Sequence, residues 1–130
     1  MEENILRINQ MLLSSDEEMR DLGKVVLEKL PKIEDNWSKI LLYANAGYCG
    51  HAKLIFYQEK RTVKNFTKLL DMFEKYGYID QVSYMLEDID RNYRSIKKLS
   101  NVLKDNITLE EFLKNTKAVS TRKSYWSIKR

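Results

Sequence analysis

The chain has 130 residues, 43% of them hydrophobic and 32% charged, with a formal charge of +4. That is one domain's worth of soluble, core-forming sequence, with no apolar run long enough to span a bilayer. A lone cysteine excludes an intramolecular disulfide and fits a reducing compartment, and one proline with four glycines leaves little turn material, which favours a few long helices over strands.

Met1-Glu2-Glu3 is acidic and lacks the basic, then apolar, start of a signal peptide. The expected place is therefore the cytoplasm, or a particle assembled there. Residues 3–13 put Ile5, Ile8, Met11 and Leu12 on one helical face. Ser15 with Glu18 forms a capping box for a second helix, on which Met19, Leu22, Val26, Leu27 and Leu30 share a face that Pro31 terminates. Gly23 in its middle costs about 1 kcal/mol of helix propensity and admits a close neighbour.

Asp35 or Asn36 caps a third helix with Trp37, Ile40, Leu41 and Ala44 inward. Two glycines within 45–50 mark the clearest break in the chain. The apolar run 54–57 has no decisive period; helix is the favoured reading because no partner strand is evident. Thr62 caps a helix carrying Val63, Phe66, Leu70 and Phe73 to Tyr76, with Gly77 as a left-handed terminator.

The strongest signal is 80–104. Ile79, Val82, Leu86, Ile89, Tyr93, Ile96 and Leu103 recur in steps of three and four, broken only at Ser100. Asp80 is read as its cap and Ile79 as a staple onto Tyr84. At 1.5 Å per residue the helix runs roughly 37 Å. The short link before it predicts an antiparallel hairpin of 62–76 with 80–104. Thr108 with Glu111 then starts a short helix carrying Leu109, Phe112 and Leu113. The fold expected is all-α: a compact bundle of five to seven helices over 1–115 with this hairpin as its spine.

Residues 116–130 form a basic, aromatic tail. Lys117, Arg122, Lys123, Lys129 and Arg130 give it +5 with no acid, which leaves −1 for residues 1–115. Tyr125 and Trp126 sit among these charges. Such a segment suits docking on a partner protein, folding back on its own domain, or phosphate neutralisation with base stacking. Partner docking and fold-back rank above nucleic acid, because dedicated nucleic-acid arms are denser in charge.

Catalytic and metal patterns are weak. Cys49-Gly50-His51 brings a thiol near an imidazole, but adjacent positions rarely aim at each other, and two ligands fall short of a zinc set. Asp88, Asp90 and Asn92 match the opening of a calcium loop, yet the required glycine and glutamate are Tyr93 and Leu99, inside a helical stripe. No nucleotide loop or serine elbow occurs. The expectation is a protein with no cofactor, metal or catalytic residue. Its role is interaction or assembly, with protein partners or self-association, nucleic acid through the tail as the alternative, and no membrane. Abundant Lys, Ile, Asn and Tyr, residues of AT-rich codons, point to a low-GC bacterial or phage genome.

Overall fold

The computed structural model describes residues 1–30 and 32–104. Six helices and no strand occur among the described residues: α1 (Glu3–Leu12), α2 (Glu17–Lys29), α3 (Asn36–Asn45), α4 (Cys49–Tyr57), α5 (Val63–Tyr76) and α6 (Asp80–Lys104). The chain divides into two units, Met1–Arg91 and a second beginning at Asn92. The described part of the second is the run of α6 up to residue 104. The short helix expected from Thr108 and the tail 116–130 lie outside the described residues.

Side-chain caps fix three helix starts in the first unit. The Asp16 carboxylate accepts from the Glu18 amide at 3.1 Å, so the cap of α2 falls one residue later than the Ser15 capping box. Ser14 sets this up by accepting from the Asp16 amide at 3.1 Å, and an aspartate with two oxygens competes well for the free donors. Asp35 caps α3, accepting from the amides of Trp37 and Ser38 and from the Ser38 hydroxyl. Thr62 caps α5 by accepting from the Asn65 amide at 3.1 Å. Residues 54–57 are helical, as favoured: Ala52, Ile55 and Phe56 face in, and α4 is separated from α3 by residues 46–48 alone.

The core of this unit is built around α3, not around the long helix. Ile40, Leu41, Leu42 and Ala44 are all 0% exposed. Ile40, Leu41 and Ala44 join one apolar cluster with Ala52, Ile55 and Phe56 of α4, Leu69, Met72 and Phe73 of α5, and Val82, Met85 and Ile89 of α6. Leu42 turns into a second cluster with Ile5, Ile8 and Leu12 of α1 and Leu27 of α2. A helix apolar around most of its girth, with only Asn36, Lys39 and Tyr43 half-buried, belongs inside.

Several faces expected from the sequence are rotated. On α2 the buried residues are Gly23 and Leu27, while Met19 and Leu22 point to solvent. The reason is Gly23: a Cβ there would lie 3.1 Å from Met11 Cβ and 3.2 Å from Leu12 Cδ2, so its bare backbone is what meets α1. On α5 the inward residues are Leu69, Met72 and Phe73, and Val63 is exposed. Asp80 is the first helical residue of α6 rather than its cap. Tyr84 is 70% exposed, so Ile79 packs on the first cluster and not on Tyr84. Gly77 terminates α5, but at φ +89° and ψ 159°, an extended conformation reserved for glycine rather than the left-handed helical one.

Candidate interaction site

An open groove of about 690 Å³ lies along the outer side of α5. Its floor is Trp37, Met72 and Tyr76, with Met1 at one edge. Lys64, Lys68 and Lys75 line it, and with Asp71 they recur at i, i+4, i+7 and i+11, one row down the helix. Asp35 also borders the groove, but its carboxylate is engaged by the first turn of α3. Trp37 is held rigid by an edge-on contact with Phe56, the ring centroids 6.0 Å apart. Lys68 Nζ stands 4.5 Å from the centre of the Trp37 ring, and Lys75 Nζ 5.2 Å from that of Tyr76. None of the three lysines enters an ion pair among the described residues. Three cations lining an aromatic floor are complementary in charge and shape to an apolar group carrying negative charge.

A buried polar joint holds the floor in place. The Asn45 amide donates to Asn9 Oδ1 at 2.7 Å and to the Gly77 carbonyl at 3.1 Å. Its oxygen accepts from the Ile79 amide at 3.1 Å. Asn9 in turn donates to the Tyr76 carbonyl at 2.9 Å. Both asparagines are nearly inaccessible. They therefore fasten α1 and α3 to the link between α5 and α6, satisfying backbone groups that the turn leaves without helical partners.

Cys49 and His51 are not brought together for catalysis. Two positions apart on α4, they point about 200° away from each other. The His51 ring packs edge-on against Tyr43, with centroids 4.6 Å apart. Cys49 Sγ lies 3.7 Å from the Ala44 carbonyl, and burial pushes its thiol up from the ordinary value against the opposing pull of Lys53. A thiol so placed stays protonated at neutral pH, the reverse of what a nucleophile needs.

Asp88 binds Lys53 of α4 at 3.1 Å and pairs with Arg91. The Lys53 hydrogen bond leads in holding its carboxyl below the ordinary aspartate value. Asp88, Asp90 and Asn92 lie in continuous α6, where a calcium loop has no room to form. Among the described residues no group of three or more His, Cys, Asp or Glu is placed to hold a metal, and no helix is long and apolar enough to cross a membrane.

The tail residues Lys117, Arg122, Lys123, Tyr125, Trp126, Lys129 and Arg130 lie outside the described residues. The groove lysines were missed by the sequence reading, which followed the apolar stripe of α5 and left its polar face unread. The available signal was the spacing of Lys64, Lys68 and Lys75 on a single row. No family model, curated protein or solved structure matches this chain.

Proposed function

We propose that this chain is a non-enzymatic helical interaction and assembly protein, a small structural or accessory component of a larger complex. It works in the cytoplasm or within a particle assembled there, and its composition suits a phage-encoded origin. In this reading residues 1–91 close as a bundle, with α5 and the first half of α6 as an antiparallel hairpin. The three-residue link and the shared cluster of Leu69, Met72, Phe73, Val82, Met85 and Ile89 support that arrangement.

The observation that carries the functional reading is the groove. A tryptophan-floored slot rimmed by Lys64, Lys68 and Lys75 has the makings of a docking site for an acidic, apolar-anchored segment of another protein. Cross-linking and affinity capture with the full chain test it. A partner is expected to be retained by the wild type and lost when all three lysines become glutamate. Capture of nothing, or capture indifferent to that reversal, refutes it.

The +5 charge of 116–130, with Tyr125 and Trp126, favours a second reading: a nucleic-acid accessory protein acting through the tail. That reading requires gel-shift binding that weakens steeply with salt and vanishes on deletion of 116–130.

A further inference from the structure

α2 carries more apolar surface than its own unit covers. At 100° per residue, apolar positions run around it from Val25 and Leu22 through Met19 and Gly23 to Leu27, an arc of roughly 200°. A surface helix needs about 100° to face a core. Gly23 and Leu27 fill that need, buried against the cluster that α1 and α3 share. In the other half only Val26 is half-buried, against the same cluster; Leu22 is 51% exposed, Val25 44% and Met19 39%.

The ends of this bare strip are charged, and oppositely. Glu18, Leu22, Val25 and Lys29 recur at i, i+4, i+7 and i+11, so they form one row on the outer side of the helix. Reversed, the row is its own complement. A two-fold axis midway between positions 23 and 24 sets Leu22 against Val25 of a second copy, twice. The same axis sets Glu18 against Lys29 of that copy, also twice. A parallel pairing would oppose glutamate to glutamate and lysine to lysine. Both charged residues are exposed, and neither enters an ion pair among the described residues.

We propose that the outer row of α2 is a self-association face that takes α2 of a second copy, antiparallel, about a two-fold axis. This deepens the interaction reading above and rests on it, but it uses a surface separate from the α5 groove. Isologous contact of this kind closes on itself and makes a dimer, not a filament. Thirteen residues of helix span about 20 Å, so the contact is smaller than a standard interface of about 1,600 Å². The dimer is accordingly weak, with a dissociation constant on the order of 100 µM.

Analytical ultracentrifugation of the full chain from about 10 µM to about 1 mM tests this. The wild type is expected to pass from monomer to dimer across the range. Leu22→Asp is expected to weaken association at least about 10-fold while leaving the helical circular dichroism unchanged, since the site is solvent-facing. Glu18→Lys and Lys29→Glu are each expected to be monomeric alone, and to dimerise when mixed in equal amounts, because only the mixed pair opposes unlike charges at both ends. A wild type that stays monomeric at the highest concentration overturns the proposal. So does a dimer that survives Leu22→Asp, or a mixture that fails to recover. None of these outcomes touches partner capture at the groove lysines, so the two ideas fail separately.

Discussion

α2 and α3 follow one another in the chain and resemble each other in length, yet they meet opposite fates. α3 buries seven of its ten residues, all but Asn36, Lys39 and Tyr43; α2 buries little beyond Gly23 and Leu27. The difference lies in what surrounds them. α3 is packed by α1, α4 and α5, whereas α2 rests on α1. Apolar residues specify where a helix is able to bury surface, and the number of neighbours decides how much of that capacity is used.

The widest separation between the two helices is expected from truncating a leucine in each. Leu41→Ala in α3 removes fully enclosed groups and costs about 2–5 kcal/mol. Leu22→Ala in α2 stays within about 0.5 kcal/mol. Urea denaturation of the two variants measures both, and comparable losses would erase the contrast.

Next comes Asn45 at the end of α3. Asn45→Ala strips the Ile79 amide, the Gly77 carbonyl and Asn9 Oδ1 of the Asn45 side chain, at a cost of about 2–3 kcal/mol. The same denaturation curves report it, and a neutral effect would mean that water replaces the side chain.

Gly23→Ala probes the close contact of α2 with α1. The gain of about 1 kcal/mol in helix propensity is outweighed, because the new methyl meets Met11 Cβ and the Leu12 backbone nitrogen, which cannot swing aside. A net loss of about 1 kcal/mol is expected. Gly50→Ala, with nothing within 4 Å, is the matched control and should gain about 0.5 kcal/mol. A stabilised Gly23→Ala would show that α1 and α2 are loosely joined.

A further small effect belongs to the Lys53–Asp88 pair, which lies outside both helices. A carboxyl whose folded pKa is depressed adds stability above the ordinary aspartate range, and loses it as the pH falls through the lowered value. Lys53→Met should therefore cost under about 1 kcal/mol near neutrality, because the pair is partly exposed. In thermal melts the gap to wild type should close as the pH falls through that lowered value, below the ordinary aspartate range. A gap that persists there would assign the loss to packing of the lysine stem.

The helices themselves were legible because their signals are local. Thr62 and Asp35 cap as their chemistry dictates, and α6 runs over 80–104 as its stripe demands. What stayed hidden depends on neighbours. Met19 and Leu22 fit an inward face as well as Leu27 does; only the close approach at Gly23 turns α2 the other way. Asn9 and Asn45 read as ordinary polar residues, since their meaning lies in backbone groups 67 and 32 positions distant. The groove required knowing that Trp37 would lie beside the lysine row of α5.

That long reach has a bearing on synthesis. A chain emerging from the ribosome makes α1 early, but the carbonyl that Asn9 needs belongs to Tyr76. Until that residue clears the exit tunnel, docking α1 would leave the Asn9 amide without the carbonyl that holds it in the fold, which favours late docking of the first helix. Nascent fragments ending before 76 should remain protease-sensitive at their amino end, and protection should arrive abruptly, in one late step that secures α1 and α3 at once.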